Sequence, residues 1–290
     1  MLSLSSSERK TPSRMVILGS RGFVGKNLEA KTRELGWATK ALSSRDLDLL
    51  SEDAGTKLGE ALNSEDTLVF ISALTPDKGR DRKTLLKNLA MADAVCEAIE
   101  AHPCAHVVYI SSDAVYDDAA HPVRETSACN PSSFHGVMHL ARERMLAESC
   151  KKAGTPLLIV RPCAIYGAGD THNSYGPNRF LKTALEKNEI SLTGQGEEQR
   201  DHLFIDDLIS LITELVSRKA TGVVNAASGS ALSFGEVAAS IKGLMTEVKI
   251  VNQPRQSPVT HRHFDITELL RNFPAFRMTP FGEGIKKARG

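Results

Sequence analysis

An apolar run that stops at a glycine and resumes as a helix restricts this chain more than any other feature. In "RMVILGSRGFVGKNLEAKTRELG", residues 15–18 are apolar, glycines follow at 19, 22 and 25, and Val24, Leu28 and Leu35 roughly keep helical spacing. The apolar run is short and flanked by glycine, which favours a buried strand. A strand, a glycine turn and a helix in that order fit a dinucleotide site. Gly19 allows the tight turn, Gly22 lets backbone N–H groups approach a pyrophosphate, and Gly25 lets helix and strand pack closely. Ser20, Arg21, Phe23 and Val24 fill the same turn and are assigned to the cofactor with the glycines. The helix N-terminus adds partial positive charge toward phosphate. A purely structural glycine turn is the competing reading. The strand before it, the helix after it and its place near the start of the chain favour the nucleotide.

The end of the next strand bears on which nucleotide. An acid there binds the adenosine ribose of NAD. In "GWATKALSSRDLDLL" that position holds Ser43, Ser44 and Arg45, with Asp46 one step later. Ser44 and Arg45 suit a 2′-phosphate, so NADP(H) is favoured, and Asp46 keeps NAD(H) open.

Strand and helix patterns then alternate. Residues 67–74, 106–112 and 156–162 read as strands, and 84–102 and 132–154 as helices, the second closed by a glycine. This alternation implies an α/β fold with a doubly wound parallel sheet of Rossmann type and a smaller C-terminal substrate domain. The expected division is a flexible tail at 1–13, a dinucleotide-binding domain at 14–168 to which 203–227 return, and a substrate region at 169–202 and 228–290. The chain has 290 residues, 41% of them hydrophobic and 24% charged, with net charge +1. Nothing there suggests a nucleic-acid surface, and no apolar run is long enough for a membrane span. Five cysteines without CxxC spacing fit reduced thiols in a cytoplasm.

Taken together, "GSRGFVG", "YISSDAVYDD", "RPCAIYGAGD", "GPNRFL", "GQGEEQRDHLFIDDL" and "VVNAASGSALSF" make the chain resemble an extended short-chain dehydrogenase/reductase of the NAD-dependent epimerase/dehydratase branch, from about residue 14 to 286. The resemblance implies hydride transfer on a nucleotide-activated sugar and a homodimer formed through two helices of the sheet domain. It assigns Ser112 to the reacting oxygen and sets Asp113 beside the sugar. Pro162 and Cys163 lie by the nicotinamide, and Asn178 and Arg200 at the diphosphate. Ser72, Ala73 and Leu74 complete the expected cofactor set, and Arg262 the substrate set. For Arg200 and Arg262 the plain alternative is surface charge. Asn88 matches an asparagine that braces the active-site helix, or else is an ordinary surface amide.

The chain departs from the family at Tyr-x-x-x-Lys. Its register places His135 in the tyrosine position and His139 in the lysine position of "PSSFHGVMHLARE". Three readings compete. In the first, His135 transfers the proton. An imidazole titrates near ~6.5 and a phenol near ~10, so histidine needs no neighbouring cation near neutrality. His139 then hydrogen-bonds the cofactor ribose. In the second, Ser112, Asp113 or a substrate group moves the proton. The family's dehydratases carry Asp-Glu where this chain has Asp113-Ala114, which argues against dehydration. In the third, the protein binds NADP(H) and a ligand without turnover, as a sensor. A zinc site from the two histidines lacks a glutamate after the first and a fixed third ligand, so no metal is assigned.

Overall fold

The structure is a computed structural model that describes residues 2–170, 172, 176–245 and 247–290. Part of the expected loop at 169–177 therefore lies outside the described residues. In chain order the elements are β1 (Ser3–Leu4), β2 (Arg14–Leu18), α1 (Phe23–Glu34), β3 (Thr39–Leu42), α2 (Ala54–Ala61), β4 (Asp66–Phe70), α3 (Arg82–Ala101), β5 (His106–Ile110), α4 (Phe134–Ala153) and β6 (Leu157–Pro162). They continue with β7 (Ala164–Tyr166), α5 (Pro177–Lys187), β8 (Glu189–Thr193), β9 (Gln199–Phe204), α6 (Ile205–Ser217) and β10 (Ala220–Ala226). The last are β11 (Ala231–Ser233), α7 (Phe234–Leu244), β12 (Lys249–Gln253), α8 (Thr267–Asn272) and α9 (Phe281–Arg289).

Two compact units result: 1–119 with 125–162 and 209–225, and 120–124 with 163–208 and 226–290. In the first, a sheet runs in the order β1-β10-β6-β5-β4-β2-β3, and β3, β2, β4, β5 and β6 pair in parallel. This is the doubly wound sheet expected. The chain leaves β2 toward β3 and then crosses back to β4 on the other side, so the strand order reverses at β2. Such a switch point opens a crevice at the carboxyl ends of the strands, and Gly19 follows β2 there.

Alternate strand residues explain the cover on both faces. Val16, Leu18, Leu68, Phe70, Val107 and Tyr109 join a core with Leu58 of α2, Val95 and Ile99 of α3 and Leu146 of α4. The intervening Met15, Ile17, Val69 and Val108 are equally sealed, at 0% exposure. Strands buried on both faces read as continuous apolar runs, as these do.

Several boundaries differ from the sequence expectation, and the main stretch of the first unit ends at Pro162 rather than 168. The tail expected at 1–13 is partly ordered: Ser3 and Leu4 pair antiparallel with Thr221 and Ala220, and the Lys10 N–H bonds the Ser217 carbonyl at 2.8 Å. The edge of β10 offers unpaired backbone groups that a passing segment satisfies. The expected return of the chain to the sheet unit at 203 begins only at Ile209. Residues 199–204 stay in the second unit because β9 pairs with β7 and β11 there. Residues 120–124 belong with them, since Val123 bridges Phe264 and the Arg124 guanidinium pairs with Asp265 at 2.8 Å.

Buried imidazoles set the acid limit. His106 is fully buried with Nε2 2.8 Å from the Ala220 carbonyl, and burial holds it down at about 4. His202, buried beside Phe234 and Phe281, is likewise held at about 4 by burial and by Arg200. Unfolded, each titrates near ~6.5. Between those values the unfolded chain binds more protons, so stability falls as pH drops through the window. Each imidazole is expected to cost about 3 kcal/mol by the bottom of it. Urea midpoints at pH 7.5, 6.5, 5.5 and 4.5 check this; a flat profile above pH 5 refutes it.

Candidate active site

The glycine turn is built by close approach. Gly19 has φ +98°, and a Cβ there would lie 2.9 Å from the Ser72 nitrogen. Gly19 and Ser20 N–H groups both bond the Leu42 carbonyl, which ties the turn to β3. A Cβ on Gly25 would sit 2.1 Å from the Gly19 carbonyl oxygen, so no side chain fits where α1 crosses β2. Gly22 differs: an added Cβ would meet only that oxygen, at 3.4 Å. Gly22 is the N-cap of α1 and no side chain caps the helix. The free first-turn N–H groups suit a phosphate. Gly25→Ala is therefore expected to lower stability by roughly 1–3 kcal/mol. Gly22→Ala should keep the fold and weaken nucleotide binding. Thermal melts and a nucleotide titration separate the two, and equal melting losses would refute the distinction.

At the far end of the turn, Ser44 and Arg45 are exposed. The Asp46 Oδ2 accepts both the N–H and the O–H of Ser43, at 2.9 and 2.6 Å. These bonds, aided by Arg21 and Arg45, hold Asp46 below the usual carboxylate range. Two arginines thus flank an acid that is committed to its own turn.

Ser72, Ala73 and Leu74, all half-buried, form the loop after β4. Asn88 of α3 pins it, accepting from the Leu74 N–H at 2.9 Å and donating to the Leu74 carbonyl at 3.0 Å. The fully buried Arg142 of α4 completes the brace. Its guanidinium donates to the Ser72 carbonyl at 2.8 Å and, from Nε, to the Asn88 carbonyl at 2.8 Å. It also lies over the Phe70 ring, 4.9 Å from the centroid. Asn88 is therefore a buried brace and not a surface amide. Arg142 was not among the residues expected from sequence. Three positions after His139, nothing local to the helix marks it as buried.

Ser112 ends the segment after β5 and caps a short 3-10 turn, Asp113–Val115. Its Oγ accepts from the Ala114 N–H at 3.1 Å and donates to Asp113 Oδ1 at 3.4 Å. The start of α4 packs against this turn, because a Cβ on Gly136 would be 2.0 Å from the Ala114 carbonyl oxygen. The glycine of "HGVMH" thus marks a close approach. His135, half-buried, lines a cavity of about 420 Å³ with Leu74, Asn88, Phe134 and Met138. Its ring stands edge-on to His139 with centroids 4.7 Å apart. His139 is 4% exposed, and its Nδ1 lies 2.7 Å from the Tyr109 hydroxyl. Burial, then the neighbouring His135 and Arg142, keep the His139 imidazole neutral well below its ordinary range.

A second buried network holds β5, α4 and β6. Ser111 donates to Glu143 Oε1 at 2.6 Å, and Arg161 donates to both Glu143 oxygens, at 2.9 and 2.6 Å. Arg161 also lies 4.8 Å from the Tyr116 ring centroid, and the Tyr116 hydroxyl donates to Asn225 at 2.7 Å. Tyr116 is thus packing and scaffold. Pro162 ends β6.

In the second unit, Cys163 is buried with its thiol 3.5 Å from Asp201 Oδ1. Asp201 also accepts from Ser228 and Gly229 backbone N–H groups, both at 2.8 Å. Asn178 stands in the first turn of α5, accepts from the Gly167 N–H at 3.1 Å and donates to Asp170 at 2.6 Å. His172 bonds the same carboxylate, at 2.8 Å. Arg200 donates to the Thr260 carbonyl and hydroxyl, at 2.6 and 2.7 Å. Arg262 forms a bridge to Arg200. Helix α5 and β8 flank a cavity of about 320 Å³ with Arg179 and Lys187 on its wall. Among the described residues no group of three or more His, Cys, Asp or Glu side chains is arranged to hold a metal ion, and no helix is long and apolar enough to cross a membrane.

A dinucleotide-type turn at the switch point and a helix docked by glycine on the serine turn after β5 define the class. The NAD dependent epimerase/dehydratase family model matches residues 15–227, and the chain belongs to that family. Over 149 residues the chain is 32% identical to a dTDP-L-rhamnose 4-epimerase of Burkholderia thailandensis, covering 49% of this chain and 41% of that protein. The chain thus spans less than half the length of that relative. Among solved structures it superposes with a TM-score of 0.82 on MoeE5 in complex with UDP-glucose and NAD, at 23% identity over 95% of this chain and 97% of that one. RMD from Pseudomonas aeruginosa complexed with NADPH also superposes with a TM-score of 0.82, at 23% identity over 96% and 97%. At these identities the likeness to the solved structures is one of fold.

Proposed function

We propose that the protein is an NAD(P)-dependent oxidoreductase or epimerase acting on a nucleotide-activated sugar, with His135 moving the proton. The observation that carries this is the fit of Gly136 against the Ala114 carbonyl oxygen, which leaves no room for a Cβ and fixes the register of α4 on the Ser112 turn. That register supports reading His135 and His139 in the two places the family fills with tyrosine and lysine.

The glycine turn fits a dinucleotide: Gly25 closes helix on strand, and Gly22 leaves the N-terminus of α1 without a side-chain cap. A bound nicotinamide nucleotide supplies the hydride acceptor or donor. Ser112 holds the reacting oxygen by hydrogen bond, and the His135 imidazole takes its proton as the alcohol becomes a carbonyl, or returns it. Exposed Arg45 and Arg21, with Asp46 bound to Ser43, favour NADP(H) over NAD(H). Asn178, Arg200 and Arg262 are the residues offered to the substrate diphosphate. Two relatives support the substrate class by their names: one is a dTDP-sugar epimerase, the other was solved with UDP-glucose and NAD. Exposed Leu86 on α3 and Phe134 and Val137 on α4, at 51, 49 and 38%, offer an apolar face for a homodimer. A cytoplasmic setting completes the reading, with five free cysteines.

The test pairs the purified protein with NADP⁺ or NAD⁺ and a panel of UDP- and dTDP-sugars. Nicotinamide absorbance reports net oxidation or reduction, and NMR of the sugar reports epimerisation, in which hydride returns. Turnover of at least one sugar is expected. A protein that binds the cofactor yet changes neither signal is a sensor, and the enzymatic reading fails.

A further inference from the structure

The lysine of the usual pair is a cation, whereas His139 is enclosed and neutral. We propose that Tyr109 fixes His139 as the Nε2–H tautomer, so that the side chain in the lysine place presents a neutral N–H donor to the nicotinamide nucleotide. This rests on the reading of His135 and His139 given above. Tyr109 is a positioning residue: it acts through His139.

Two proton patterns satisfy the 2.7 Å contact between the Tyr109 hydroxyl and His139 Nδ1. Either the hydroxyl donates to a bare Nδ1, or Nδ1–H donates to the hydroxyl oxygen. The Tyr109 proton decides between them. If Nδ1–H donated to the phenol oxygen, the phenol's own proton would face no acceptor among the described residues. Tyr109 is 0% exposed, so water does not reach that proton. An orphaned buried donor is strongly disfavoured. In the other pattern that proton is used: the Tyr109 hydroxyl donates to Nδ1. Burial pushes the phenol up, which keeps that proton in place. The imidazole proton is then left on Nε2, since the bond made by one ring nitrogen sets the state of the other. Among the described residues Nε2 makes no hydrogen bond, which leaves its N–H for a ribose hydroxyl.

The experiment uses the full chain labelled with ¹⁵N-histidine. Long-range ¹H–¹⁵N correlation distinguishes Nδ1–H, Nε2–H and imidazolium, and His139→Asn identifies the resonance. A neutral Nε2–H ring from pH 6 to 8 is expected. An Nδ1–H tautomer or an imidazolium overturns the inference, and this needs no variant to fold. In Tyr109→Phe the ring should populate both tautomers, and the dissociation constant for NADP⁺ should rise about two-fold, by the fraction of rings left in the binding tautomer. Unchanged tautomer or unchanged affinity overturns it too. The spectrum does not depend on turnover. An Nε2–H ring in a protein with no activity would defeat the proposed reaction and leave the Tyr109 assignment standing.

Discussion

His135→Phe is expected to lower kcat by roughly 10²–10⁴-fold while cofactor affinity holds, the usual worth of a positioned general acid–base. Phenylalanine can keep the edge-on packing that His135 makes with His139 at 4.7 Å, so the start of α4 should stay docked. What is lost is the only imidazole of the pair that is half-buried and lines the cavity; His139 is sealed and held neutral. Steady-state kinetics with a matched NADP⁺ titration read this directly. Unchanged kcat would pass the proton to Ser112, Asp113 or the substrate. His135→Tyr sharpens the test. A phenol ordinarily titrates near ~10 and needs a nearby cation to work at neutrality. His139 is no such cation, so the restored tyrosine should remain slow at pH 7 and recover at higher pH. Full activity at pH 7 would mean that another group lowers the phenol.

The second large effect concerns stability. Arg161→Met is expected to cost about 3–5 kcal/mol, because it strands a buried carboxylate. Arg161 and Glu143 are 5 and 4% exposed, and two bonds of 2.9 and 2.6 Å join them. Ser111 alone, at 2.6 Å, would remain on Glu143. The double variant Glu143→Gln with Arg161→Met removes both charges and should recover most of the loss, since a buried pair replaced as a unit is often near neutral. Denaturant melts of the two single variants and the double close the cycle. Additive losses would show that the two side chains act independently. Because Ser111 precedes Ser112, the same break should also loosen the serine turn against α4.

Much of the fold was legible because its causes are local. Gly19 must accept a positive φ, and Gly25 must lack a Cβ within six residues of the turn it packs on. The apolar runs of β4, β5 and β6 announce burial on both faces, and Gly154 with φ +67° ends α4 where the glycine stop was read. The helix starts at Phe134, inside the 132–154 read from sequence, where the Ser133 side chain accepts from the Gly136 N–H. The family resemblance is what proposes Ser112, His135 and His139 for the site.

The unit boundaries were not legible, because they depend on strand partners far along the chain. Val123 meets Phe264, and Ala231 pairs with Asp201. Nothing near residue 120 announces either. The same holds for the supports of the candidate site. Arg142 reaches Ser72 and Asn88, 70 and 54 residues away. Read along the helix it is one charge among several.

By itself, then, the amino-acid order determined the glycine turn, the alternation of strand and helix and the two histidines on one helix face, since each follows from backbone sterics and spacing within a few residues. Only the tertiary structure decided that His139 is enclosed against Tyr109, that Arg142 is a buried brace and that Glu143 and Arg161 are paired. Protonation and hydrogen bonding depend on which distant groups exclude water from a side chain, and that is settled when the sheet closes over its helices.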